Sequence, residues 1–167
     1  LVGVGTSTSG DAFGTLIQQV SGTDDDMIVF ESSAVSDFTN NSRVTMMGLL
    51  GNDGDTAGSA IRFQEADGTE SSPAQQIRIQ DVTIRNFPDH GIDIARVFPF
   101  RAKDLFIWDC DGYGIKIVPD SVQGLVHIMD SDFDDNTLGA IYVDQSSGSS
   151  RDVYMFTSIK IEKSLDG

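Results

Sequence analysis

Between positions 82 and 143 the apolar side chains come in short alternating pieces, cut every three to five residues by Asn, Asp or Gly. Alternation of period two marks a strand with one buried face, and Asn, Asp and Gly accept the left-handed backbone of a sharp corner. The pieces also repeat. Moved by 23 residues, "IRNFPDHGIDIA" (84–95) lies without a gap on "IWDCDGYGIKIV" (107–118). Ile84 meets Ile107, Asn86 meets Asp109, Gly91 meets Gly114, and Ile92 and Ile94 meet Ile115 and Ile117. Upstream, Val82 falls under Leu105.

"VHIMDSDFDDNTLGAIYV" (126–143) continues the frame if Asp130 takes the corner of Asn86 and Asp109 and about four extra residues are placed around Phe133 to Leu138. "GLLGNDGDTAGSAIRF" (48–63) gives Leu50, Asn52, Gly58, Ile61 and Phe63 in the same order. The isoleucines Ile61, Ile92, Ile115 and Ile141 are then spaced by 31, 23 and 26, a variable period that predicts repeated strand units joined by loops of different length. In this frame Leu105, Ile107, Cys110, Ile115 and Ile117 face a core and Gly114 marks a corner that needs positive φ. The one stretch with helical spacing is "AFGTLIQQV", where Phe13, Leu16, Ile17 and Val20 predict a short helix over 12–20 that caps the first unit.

Two outward columns follow from the same frame. One carries Arg62, Asp93, Lys116 and Tyr142, stacked at the roughly 4.8 Å separation of neighbouring strands. Its plain reading is a row of cross-strand ion pairs with Asp93 between two cations. The other carries Arg85, Trp108 and Met129. An outward Trp108, the single tryptophan, beside an arginine suits either a covering subunit or loop, or a flat apolar face for a sugar ring. Arg85, Trp108, Lys116 and Tyr142 are therefore the candidate contact residues.

Charge narrows the classes. The 167 residues hold 26 acidic and 11 basic side chains, a formal net charge of -15, which excludes a general nucleic-acid binder and suits solubility in salty, marine or halophilic surroundings. One cysteine permits neither an internal disulfide nor a Cys-based zinc site. No apolar run approaches about 18 residues, so no membrane-inserted helix is expected. The start "LVGVGTSTSG" reads as a cut or processed end.

The repeated units resemble those of right-handed parallel β-helices of the pectate-lyase-like superfamily, which includes polysaccharide lyases, polysaccharide hydrolases and viral tailspikes. The likeness covers about residues 43 to 163, and "GTLIQQVSGTDDDMIVF" resembles a cap and first coil. The resemblance implies an all-β solenoid of about five or six coils, with 1–42 as cap and first coil and 43–167 as the coils, cut short at the C-terminal end. It further implies an extracellular or virion-surface spike or fibre module, assembling as a homotrimer and meeting a host glycan.

Catalysis is the less favoured reading. Glycosidases need two carboxyl groups about 5 to 10 Å apart, which Asp111 with Asp132 or Asp134 would supply. Lyases of this fold would use calcium-bound acids and a base such as Arg85 or Lys116. The ordered Asn-Thr-Asp, paired Asp, Gly-His-Gly and Arg-Ile-Lys motifs of polygalacturonase-like members are missing. "PDHG" around His90 is a partial echo, and His90 is expected in a surface turn. The run Asp130–Asn136, expected as a loop, makes Asp130, Asp132, Asp134 and Asp135 the candidate ligands for Ca²⁺, no other cofactor being expected. "TDDDM" (23–27) reads as a solvated turn. A lyase or hydrolase fragment and a purely structural spacer are the alternatives.

Overall fold

The computed structural model describes residues 15–20, 22, 24–32, 43–52, 54–65, 76–95, 99–118, 125–144 and 153–163. They form eleven strands: β1 (Leu16–Gln18), β2 (Ile28–Ser32), β3 (Arg43–Leu50), β4 (Ile61–Glu65), β5 (Ile77–Arg85), β6 (Ile92–Ile94), β7 (Phe100–Trp108), β8 (Tyr113–Ile117), β9 (Leu125–Asp134), β10 (Gly139–Val143) and β11 (Val153–Glu162). The chain alternates between two sheets. Odd strands build one sheet in the order β1-β3-β5-β7-β9-β11, even strands build the other in the order β10-β8-β6-β4-β2, and every pairing is parallel. One apolar core, drawn from both sheets, runs through the molecule.

The odd strands from β3 onward are long because each contains a corner. In β5 the buried apolar residues are Ile77, Ile79, Val82 and Ile84, followed by Phe87; in β7 they are Phe100, Ala102, Leu105 and Ile107, followed by Cys110. The spacing is two, three, two, three. The first step of three passes through Asp81 or Asp104 and the second through Asn86 or Asp109, all at φ between 52° and 58°. A left-handed residue turns the strand and returns the next side chain to the same interior, and Asp and Asn take that conformation at least cost among side chains with a Cβ.

The third repeat is in a different register from the sequence expectation. Val126 and Ile128 pair with Phe100 and Ala102, and Phe133 pairs with Ile107. The corner in line with Asn86 and Asp109 is Asp135 (φ 47°), while Asp130 (φ 49°) belongs to the earlier row with Asp81 and Asp104. The two rows lie five residues apart and both contain Asp, so a five-residue slip leaves the corner signal intact. Burial decides against it, because Phe133 is 1 % exposed and a slipped strand would carry it out of the core. The extra residues therefore lie between β8 and β9, not at 133–138. Asp130 to Asp134 is the end of β9 and not a loop, with Ser131 and Phe133 buried and Asp132 and Asp134 on the outer side.

The even strands keep the expected register: Ile61, Ile92, Ile115 and Ile141 are direct neighbours. The helix expected over 12–20 is not formed at Leu16–Gln18, which is β1, paired with Gly48–Leu50. Ile17 alone packs on the core, while Leu16 and Val20 are exposed, so the apolar residues serve a period of two. Residues 12–14 lie outside the described residues. "TDDDM" joins neighbouring units instead of only meeting solvent. Asp24 accepts hydrogen bonds from the Thr56 backbone N–H (2.8 Å) and hydroxyl, and Asp26 accepts one from the Ser59 N–H and pairs with Arg62 (3.2 Å). The Thr56 donors hold the Asp24 carboxyl below its ordinary pKa.

Candidate functional site

Beyond the Asp81–Asp104–Asp130 corners, the outer positions of the odd sheet form two columns. One runs Leu16, Gly48, Thr83, Phe106, Asp132, Lys160, and the other Gln18, Leu50, Arg85, Trp108, Asp134, Glu162. Period two places Phe106 and Trp108 on the same side of β7, and their rings lie 4.3 Å apart, tilted by 43°. The Arg85 guanidinium on one neighbouring strand sits 5.6 Å from the Trp108 ring centroid. On the other neighbouring strand stand Asp132 and Asp134. An aromatic platform is thus bracketed by a cation and by two carboxylates.

The carboxylates differ. Asp132 Oδ2 pairs with Lys160 Nζ at 3.3 Å, and that ammonium is shared with Glu162 (2.7 Å). Asp132 Oδ1 is shielded from solvent and has no hydrogen-bond partner among the described residues. Around the corner from Trp108, burial and then the neighbouring Asp135 and Asp134 carboxylates push the Asp109 carboxyl above its ordinary pKa. This end of the platform is therefore electronegative, and the Arg85 end is electropositive.

Of the expected contact residues, Arg85 and Trp108 are brought together as predicted. Met129 is not in their column: the five-residue register difference places Asp134 there and moves Met129 beside Lys103. Lys116 and Tyr142 occupy the other sheet, in the predicted row Arg62–Asp93–Lys116–Tyr142. Asp93 stands between Arg62 and Lys116 in that row and pairs with one of them. Lys116 pairs with it (3.8 Å), whereas Arg62 turns to Asp26, and Tyr142 stacks on Tyr113 with centroids 4.8 Å apart. Phe106 was missed because its neighbours in the column, Thr83 and Asp132, are polar. The two-three spacing of buried positions, applied from Phe100 onward, locates it.

The proposed carboxylate pairs lie on opposite sides of a corner. Asp111 follows the Asp109 corner, where its N–H donates to Phe87 O (2.9 Å), and the next strand unit presents Thr137 there, with its N–H on Cys110 O. Asp132 and Asp134 stand before that corner on the outer side of β9. The calcium candidates are likewise divided, with Asp130 and Asp135 at successive corners and Asp132 and Asp134 between them. Among the described residues no three His, Cys, Asp or Glu side chains converge on a cation position.

Cys110 is buried among apolar side chains, in line with Phe87, and desolvation pushes its thiol up to about 12. It is a core residue. His90 is also interior, at 5 % exposure, which corrects the expected surface turn. Its Nδ1 accepts the Tyr113 N–H at 3.0 Å, a bond that requires the unprotonated nitrogen, and Nε2 faces Asp89 Oδ1 at 3.2 Å. Desolvation holds its pKa below the ordinary 6.5, with Asp89 opposing. Protonation is thus favoured in the unfolded chain. The stabilising effect is complete above 6.5 and is lost as pH falls from there through the lowered folded value. In a magnetic-resonance titration the His90 ring is expected to change charge below 6.5; a midpoint at or above that value overturns the buried, neutral assignment.

Comparison with protein-family models, with curated proteins and with solved structures finds no match to this chain.

Proposed function

We propose that this chain is a right-handed parallel β-helix of the pectate-lyase-like kind, serving as a non-catalytic module of an extracellular or virion-surface spike or fibre whose Trp108 face engages a host glycan. Support for the fold comes from the regular crossing of the chain between two all-parallel sheets around one core, with corners repeated in line. The observation that carries the function is the Phe106–Trp108 platform with Arg85 on one side and Asp132 and Asp134 on the other. An indole face stacks on the apolar face of a sugar ring, while flanking charged groups hold its hydroxyls in charge-assisted hydrogen bonds. The homotrimer belongs to the same proposal, and its subunit contact is the competing use of this face.

Trp108→Ala is expected to keep the fold and weaken binding to a panel of neutral and acidic oligosaccharides by at least about ten-fold in calorimetry. Retained binding with loss of the assembled mass in light scattering assigns the face to subunit contact. If neither changes, the face has no role and the module is a spacer. Polysaccharide cleavage is the second reading, favoured by the unpartnered Asp132 Oδ1 beside the platform. New reducing or unsaturated ends released by the parent protein, and lost in Asp132→Asn or Asp134→Asn, would establish it.

A further inference from the structure

The part of the odd sheet before the Asp81–Asp104–Asp130 corners carries a different surface. Its outer column reads Arg43, Arg78, Arg101, His127, Met155 on five successive strands. Beside it run Thr45, Gln80, Lys103, Met129 and Thr157. Three guanidinium groups thus stand on adjacent parallel strands, roughly 4.8 Å apart at the backbone. Like charges placed directly opposite one another destabilise a sheet.

What singles this row out is that no counter-charge meets it among the described residues, in a chain that has acids in excess, 26 against 11 bases. Arg62 pairs with Asp26, Lys103 with Asp104 and Asp130, Lys116 with Asp93, and Lys160 with Asp132 and Glu162. Arg85 lies over Trp108. Arg43, Arg78 and Arg101 are exposed, and none has an ion-pair partner among the described residues.

The surface is also shaped. Two adjoining clefts, of about 230 and 200 Å³, share Arg78 and Arg101 as walls. The first is completed by Gln76 and Pro99, the second by Gln80, Lys103 and Met129. Behind them Ile77, Ile79, Phe100 and Ala102 are fully buried, so the arginines project from a packed backbone and the ordering required on binding is confined to their side chains.

We propose that the Arg43–Arg78–Arg101 row is a binding groove for a linear acidic polysaccharide, its carboxylate or sulfate-ester groups meeting successive guanidinium forks and its hydroxyls meeting Gln80 and Thr45. Arginine is the side chain suited to such oxygen pairs, because its planar fork donates two parallel hydrogen bonds. Single-stranded nucleic acid is the weaker fit. Proteins that bind it set a series of aromatic side chains beside the cations for the bases to stack on, and the outer positions of this row and its neighbour hold no Phe, Tyr or Trp and a single imidazole, His127. The groove is independent of the Trp108 face, which lies across the corner on the same sheet.

The test is calorimetric titration of the whole chain at low ionic strength with alginate, dextran sulfate, neutral dextran and an oligothymidylate. Binding of alginate or dextran sulfate that weakens with added salt is expected, and whichever of the two binds more tightly identifies the anionic group. The double variant Arg78→Gln/Arg101→Gln should weaken it by about ten-fold per arginine removed, with an unchanged far-ultraviolet dichroism spectrum. Arg62→Gln, which removes one cation from the other sheet, should leave it unchanged, which separates the row from a general effect of net charge. The proposal is overturned if neither acidic polymer binds, if the double variant binds them as the parent does, if the double variant loses neutral dextran binding to the same extent, or if the oligothymidylate binds more tightly than both acidic polysaccharides.

Discussion

Gly114→Val is expected to lower the stability of the fold by about 3 kcal/mol, equivalent to a fall of about 6–12 °C in Tm for a chain of this size. A methyl group placed on Gly114 would lie 2.6 Å from Phe133 Cδ1, 2.8 Å from Ala140 O and 3.2 Å from Asn136 Nδ2. Phe133 is fully enclosed and Ala140 O is backbone, so neither yields without moving the core. Glycine is needed here for close approach and not, as the corner expectation has it, for positive φ, since the left-handed glycines among the described residues are Gly22, Gly58 and Gly139. The neighbouring strand repeats the device at Gly91, where the same methyl would meet Gly114 O and Ile107 Cγ2 at 2.6 Å. Thermal unfolding followed by circular dichroism measures the effect. Gly114→Ala should fall between parent and valine variant, and an unchanged Tm for valine means that these strands are not packed as described.

Asn136→Ala is expected to cost about 3 kcal/mol, from two lost buried hydrogen bonds and the cavity left behind. Asn136 is 4 % exposed and occupies the position that Phe87 and Cys110 fill in the preceding units. Its Oδ1 accepts the Cys110 N–H at 3.2 Å, and its Nδ2 donates to Ile107 O at 3.0 Å. One side chain thus satisfies backbone groups on the two sides of the Asp109 corner. The informative companion is Asn136→Leu, which restores volume without the bonds. Denaturant unfolding should show it no more stable than the alanine variant; recovery to parental stability would mean that the position is only filled and its hydrogen bonds are immaterial.

Local backbone preference and the burial alternation are properties of short segments, and these the amino-acid sequence determined by itself. Asn86 and Asp109 announce left-handed corners because their side chains tolerate that conformation, and Ile92, Ile115 and Ile141 stay in register because each lies in a short alternating run with small residues just before it. Leu105, Ile107, Cys110, Ile115 and Ile117 are core residues for the same reason. Arg85 and Trp108 were legible as a pair since they lie in the two units that align without a gap.

Tertiary structure decided what local preference leaves degenerate. Asp130 and Asp135 are equally good corner residues five positions apart, and only the summed burial of Val126, Ile128, Phe133 and Asn136 against neighbouring strands selects Asp135 for the row of Asp109. That choice carries Met129 away from Trp108 and brings in Asp134, so the composition of the platform was not readable from the chain. Arg43, Arg78 and Arg101 are separated by unequal intervals and belong to no local motif. They become one surface because parallel pairing aligns them, and pairing is settled by non-local burial over whole strands and not by the residues that end up exposed.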